Sequence, residues 1–243
     1  MKIAFQSFIT TCLLSVSVGA ISSIKAQPAA GPENATSYNS KNEFSALIVA
    51  DTPSINPGLD TSFYRINTTY KAALIRLKQQ AAAIKEYVTV NNFNTEYCFL
   101  ADMSIPSGKN RFFVYNLKTD SLEASSLVAH GFGSTKHNSY DELEFSNIPN
   151  SYKTSLGKYK IGGDYKGAYG LSYKLYGLDS SNNRAFERTI VLHADTHVPE
   201  TEPFPYHIYQ SAGCPTVSPL FLAILTKYIK ASKKPILLWI YYS

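Results

Sequence analysis

The sequence predicts an α+β protein, mainly β, in which a helical segment precedes a β domain and one helix interrupts that domain late. Three observations predict it. From Thr69 to Val88, the residues Ala73, Leu74, Leu77, Ala81, Ile84 and Val88 fall at helical spacing. After Asn91 the period changes to short runs of β-branched and aromatic residues split by turn residues, the pattern of a sheet or sandwich. Near the end, Ser218 and Pro219 stand as N-cap and first helical residue. Leu220, Ala223, Ile224 and Tyr228 follow at helical spacing up to about Ser232.

The chain opens on Lys2 and a mostly apolar, uncharged run from Ile3 to Ile24, with a small-residue cleavage point after Ala26. Residues 1–26 therefore read as an export signal, and contact with a membrane is expected only transiently during export. Residues 27–41, rich in Pro, Ala, Gly, Asn and Ser, read as a flexible linker. Residues 42–92 form the helical N-terminal segment, with Thr68 or Thr69 as N-cap, and 93–243 the β domain. Strands are expected near 96–103, 111–118, 121–129, 157–162, 169–176, 188–194 and 235–242. The stretch from Gly133 to Ser155 is long for a connection within a domain and reads as a binding or lid loop.

Composition narrows the function. Cleavage removes Lys2 and Lys25 and no acids, so the formal charge falls from +5 to +3. No run of Lys or Arg interleaves with aromatics to follow a phosphate backbone, so no nucleic-acid partner is expected. The 18 Tyr and 13 Phe fit strands and a peptide- or carbohydrate-facing groove equally.

Two cysteines follow the leader, Cys98 and Cys214, in a compartment that permits disulfides, so pairing them is the simplest arithmetic. Cys98 lies in the half-apolar run EYCFLADMS, where cysteine packs as a small hydrophobe. Cys214, in SAGCPTVSP, is open to four readings: nucleophile, half of a disulfide, metal ligand or core residue. A nucleophile needs a base, because a thiol with an ordinary pKa of about 8.5 is only slightly ionised at neutral pH. His193 ends the strand-like run RTIVLHA, where its ring would have rigid support. His207 lies in a Pro-rich stretch and His137 in the long loop, both read as surface residues, whereas His130, in VAHGFGS, is either cleft-lining or structural. A zinc site drawn on His193, Asp195 and His197 lacks a second ligand cluster, so no metal is expected. Gly213 lets a substrate approach the backbone, and the amides of Gly213 and Cys214 could face a developing oxyanion, which Pro215 cannot do.

The motifs resemble the YkuD-type L,D-transpeptidases of bacterial cell-wall synthesis, in particular the murein L,D-transpeptidase catalytic domain branch. The family pattern of a histidine, a gap and S-x-G-C is met by His193, seventeen residues, then Ser211, Ala212, Gly213 and Cys214. LVAHGFGS at 127–134 and TSLGKYKI at 154–161 resemble two upstream pieces of the family, and Pro215 matches the narrower branch. Ala212, Thr216 and Ala194 depart from it, standing where many members have His, Arg or Asn, and Gly.

The resemblance implies an L,D-transpeptidase-like β-sandwich or barrel with a late helix over 93–243. It implies Cys214 as nucleophile, His193 as base and Gly213 in the catalytic turn, with Ser211, His130, Gly131 and Ala194 binding substrate. A backbone carbonyl near Ala194 or Asp195, or the Asp195 carboxylate, would orient His193. The partners implied are donor and acceptor peptidoglycan stem peptides in the periplasm or envelope, with no cofactor. Donor D-Ala would be released through a thioester, which ends as a 3→3 cross-link; the alternatives are a trimmed tetrapeptide stem, as in an L,D-carboxypeptidase, or a non-catalytic peptidoglycan-binding module.

Overall fold

The computed structural model describes residues 61–136 and 139–243; the expected export signal, the linker, residues 42–60 and His137 lie outside the described residues. Helix α1 spans Thr61–Val90 and therefore starts before the expected Thr68 or Thr69 cap. No Pro or Gly interrupts residues 61–90, so the helix runs on beyond the apolar stripe that marks its packed part.

Eight strands form one mixed sheet: β1 Tyr97–Asp102, β2 Phe112–Asn116, β3 Ser121–Ser126, β6 Gly157–Gly167, β7 Gly170–Gly177, β8 Val191–Ala194, β9 Thr216–Val217 and β10 Leu237–Tyr241. Their order is β3-β2-β1-β10-β6-β7-β8-β9, with β1–β10 and β8–β9 parallel. Within the long Gly133–Ser155 segment, β4 Thr135–Lys136 and β5 Ser139–Leu143 pair separately. Helix α2 spans Pro219–Ala231. Ser218 caps it as the sequence predicts, its hydroxyl accepting from the Phe221 N–H at 3.2 Å.

Two hydrophobic clusters lie on opposite faces of the sheet, because successive strand residues point to opposite sides. Ala73, Leu77, Ala81, Ile84 and Val88 of α1 pack on Cys98, Leu100, Phe113, Tyr115 and Leu237. The other face carries Phe99, Phe112, Val114, Tyr159, Tyr173, Leu192 and Val217 beneath Phe221, Leu222 and Leu225 of α2. Strands β1, β2 and β10 are thus covered on both sides, which explains their continuous apolar runs. Cys98 is buried in the α1 cluster, and both it and Cys214 are free thiols.

From β6 to β9 the polarity alternates. Tyr173, Leu175, Leu192 and Val217 face the α2 core, while Ser172, His193 and Thr216 lie on the opposite side, aligned by the register Ser172↔His193↔Thr216. His193 and Thr216 of this polar row, together with Cys214 at the edge of the α2-side core, make up the candidate site.

The expected strand at 188–194 is shorter, starting at Val191. Arg188, Thr189 and Ile190 belong to a turn closed by Arg188 N–H to Arg184 O and Ile190 N–H to Ala185 O, at 2.8 and 2.9 Å. Thr189 there has φ of 55°, rare for a β-branched residue. Similarly β3 ends at Ser126 rather than 129, because Ala129 leaves its neighbours to donate to Thr216 O at 2.8 Å. Among the described residues, no helix is long and apolar enough to cross a membrane.

Candidate active site

Three segments meet at Gly131, each carrying one sequence motif. The Ser211 N–H donates to His130 O and the Phe132 N–H to Ser211 O, both at 2.8 Å, tying LVAHGFGS to SAGC. The Gly131 N–H donates to Thr154 Oγ1 at 2.9 Å, tying both to the TSLGKYKI segment. A Cβ on Gly131 would stand 2.1 Å from Tyr152 O and 2.8 Å from Gly213 Cα, so only glycine lets the three backbones approach this closely.

The 211–214 turn is closed by one hydroxyl. Ser211 Oγ donates to Cys214 O at 2.6 Å and accepts from the Gly213 N–H at 3.1 Å. Gly213 takes φ of 119°, open only to glycine. The sequence made both the Gly213 and Cys214 amides candidates for an oxyanion. In the structure the first is bonded within the turn, and the Cys214 N–H has no acceptor among the described residues.

The Cys214 thiol rests at the foot of β8. Its Sγ accepts from the Val191 N–H at 3.5 Å and faces Thr189 O at 3.8 Å. Burial pushes its pKa up; the Val191 N–H and the Arg188 charge oppose that in part.

His193 stands two residues up the strand and is 3% exposed. Its Nδ1 lies 3.0 Å from Ala194 O, and because a carbonyl only accepts, Nδ1 carries the proton. Nε2, left with the lone pair, accepts from Thr216 Oγ1 at 2.9 Å. No hydrogen bond joins the ring to Cys214 Sγ in this resting arrangement. Tyr169, 59% exposed in the two-residue turn between β6 and β7, stacks on the ring at 4.5 Å and 25°. Burial lowers the His193 pKa, offset partly by the Ala194 carbonyl and Asp195. Burial thus favours neutral thiol and neutral imidazole alike.

The Asp195 carboxylate does not orient His193. Its Oδ1 accepts from the His197 N–H at 2.9 Å and faces His197 Nδ1 at 2.7 Å. Thr216, a departure from the family pattern, occupies the His193 ring instead. We expect Thr216→Val to leave Nε2 buried without a donor and to destabilise the protein by about 1–3 kcal/mol. An unchanged urea midpoint would contradict that bond.

His130, read from the sequence as either cleft-lining or structural, has its ring enclosed in the fold. It is 1% exposed, its Nδ1 accepting from Arg111 Nη2 at 2.8 Å and its Nε2 facing the Gln210 side-chain amide at 3.1 Å. Its backbone carbonyl is the acceptor for the Ser211 N–H. Burial, followed by Arg111 and His207, lowers its pKa to about 3. The folded value lies below the unfolded value of about 6.5, so this contribution to stability is complete above pH 6.5 and is lost as pH falls towards 3. Between pH 6.5 and 5 the loss is about 2 kcal/mol, and a His130→Gln variant should show a flatter unfolding-versus-pH curve over that window.

Sequence reasoning missed Arg188, Tyr169 and Thr154. Arg188 opens the run RTIVLHA and Thr154 the run TSLGKYKI, but neither run gave a signal of what those two side chains would reach.

A sequence model described as the L,D-transpeptidase catalytic domain matches residues 69–241, most of the chain. The chain belongs to this family. Among curated proteins none matches. Solved structures to which the chain is similar include the helical cell shape determining protein Pgp2, K307A mutant, from Campylobacter jejuni, 12% identical with a TM-score of 0.41 over 61% of this chain and 47% of that one. Another is the Ldtfm–avibactam carbamoyl enzyme, 10% identical with a TM-score of 0.37 over 61% and 49%. A third is L,D-transpeptidase 1 of Mycobacterium tuberculosis, 12% identical with a TM-score of 0.32 over 61% and 62%. The match spans about half the length of the first two.

Proposed function

We propose that this member of the L,D-transpeptidase family is an exported cysteine enzyme that acts on peptidoglycan stem peptides in the periplasm or cell envelope. The observation that carries the reading is the Cys214 thiol, held between the Val191 N–H and Thr189 O at the foot of the strand that bears His193.

Cys214 Sγ attacks the carbonyl that joins the third stem residue to D-Ala, while the thiol proton passes to His193 Nε2. Thr216 then changes role. Its hydroxyl donates to the neutral ring and turns acceptor for the Nε2–H of the imidazolium, which a hydroxyl can do by rotating. The Ala194 carbonyl keeps Nδ1–H in place throughout. The oxyanion of the tetrahedral intermediate takes the free Cys214 N–H. Its collapse breaks the C–N bond, D-Ala leaves with the proton from Nε2, and a thioester remains on Cys214.

An acceptor side-chain amine then attacks the thioester and expels the Cys214 sulfur, giving a 3→3 cross-link; water in the same position gives a tripeptide. Ser211 and Gly131 shape the floor of the turn, and Ala194 lines the His193 side. Incubating the protein with tetrapeptide muropeptides and reading the products by mass tests the reading. Release of D-Ala with dimers is expected. Release without dimers would make it a carboxypeptidase, and no Cys214-dependent product a binding module.

A further inference from the structure

We propose that Arg188 is the positioning residue of this site: its guanidinium clamps the 146–155 segment beneath Cys214 and supplies the cation that stabilises the thiolate. The proposal rests on Cys214 being the nucleophile.

Four hydrogen bonds hold the half-buried guanidinium. Nη1 donates to Ser146 O at 2.7 Å and Ser155 Oγ at 2.9 Å; Nη2 donates to Lys153 O at 2.6 Å and, more weakly, to Ser151 Oγ at 3.4 Å. Every one of these acceptors is neutral. The neighbouring Glu187 pairs instead with Arg184, at 2.9 Å, so no carboxylate among the described residues neutralises Arg188. A partly desolvated charge without a counter-ion is costly unless one forms nearby.

The candidate counter-ion is the thiolate. Arg188 Nη2 lies 3.5 Å from where a Cβ on Gly213 would stand, and Lys153 O, which it holds, lies 3.1 Å from that same point. The next residue, Thr189, turns back through φ of 55° and presents its carbonyl to Cys214 Sγ. One tight turn therefore places the guanidinium against the turn that carries Cys214 and sets the backbone that holds the thiol. Besides Arg188, the titratable groups that interact with Cys214 are Tyr159 and Tyr209, and burial raises both phenols, keeping them neutral. Arg188 is then the permanent positive charge available to a Cys214 thiolate, and its attraction lowers the thiol pKa that burial raises.

Charge and clamp can be separated in the full-length chain. Cys214 alkylation by iodoacetamide is followed against pH, reading the Cys214 peptide by mass so that the other thiols do not contribute. Hydrogen exchange is followed at the Ser146 and Thr154 amides, which donate to Thr154 O and Ser134 Oγ. Arg188→Gln should raise the alkylation midpoint by about one pH unit and slow the reaction about tenfold at pH 7. Arg188→Lys should keep the midpoint near the wild-type value yet accelerate exchange at both amides, because one ammonium cannot reproduce four planar contacts. An unchanged midpoint in a folded Arg188→Gln protein would overturn the charge role. Should that variant fail to fold, a one-unit rise in Arg188→Lys would do so. Unaltered exchange in Arg188→Lys would overturn the clamp. Alkylation requires no turnover, so a failure of the transpeptidase reading shows separately, as absent D-Ala release.

Discussion

Replacing Cys214 by Ala should abolish D-Ala release from a tetrapeptide stem, and replacing His193 by Ala should slow it about 10²–10⁴-fold. The two losses differ because the thiol forms the covalent bond, whereas the imidazole moves a proton that solvent can move slowly. Burial favours the neutral form of both side chains, so on the proposed mechanism the proton is expected to move at the moment of attack. The fold should survive in the cysteine variant, since Cys214 is only partly buried at the edge of the α2-side core. A Cys214→Ala protein that released D-Ala at the wild-type rate would remove the thioester from the mechanism.

Gly131→Ala should produce the largest loss from a change that touches neither reacting group. Gly131 has φ of −70°, which alanine adopts freely, so any effect is steric. The added methyl would overlap Tyr152 O and Gly213 Cα, and both are backbone atoms that cannot rotate away. A cost of about 1–3 kcal/mol or more in stability is expected from such overpacking. Activity should fall with it, because the atoms displaced belong to the turn that carries Cys214. Gly163→Ala supplies the control. A Cβ there meets nothing within 4 Å, and its stability should stay within about 0.5 kcal/mol of wild type. Equal behaviour of the two variants in chemical denaturation would show that close approach at Gly131 is not what holds the three segments together.

Elements built on long periodic patterns were legible in the sequence. The stripe from Ala73 to Val88 and the Ser218–Pro219 start of α2 rest on local spacing and capping, which the chain displays directly. The ends of β8 and β3 were not, because a β-branched run such as Thr189–Val191 looks like a strand until the turn hydrogen bonds from Arg188 and Ile190 compete for it. Strand β9 has two residues, too few for any period, yet it sets His193 opposite Thr216.

The site divides in the same way. Cys214, His193 and Gly213 could be singled out because a nucleophile, a base and a permissive backbone are residue types with few alternatives. Arg188 and Tyr169 reach the site through a turn and a hairpin tip, and nothing local marks such residues. His130 shows the converse. Its flanking glycines suggested a close backbone approach but left the ring open between a cleft-lining and a structural place, and the partner that encloses it, the fully buried Arg111, is distant in sequence.

The central claim is that a stem peptide becomes bonded to Cys214. Intact mass of the full-length protein, quenched in acid within the first turnover on a tetrapeptide stem, should show an added tripeptidyl group. Peptide mapping should place it on the fragment that contains Cys214, and hydroxylamine should remove it as expected of a thioester. No adduct in a protein that nevertheless releases D-Ala, or an adduct that persists in Cys214→Ala, would contradict the account.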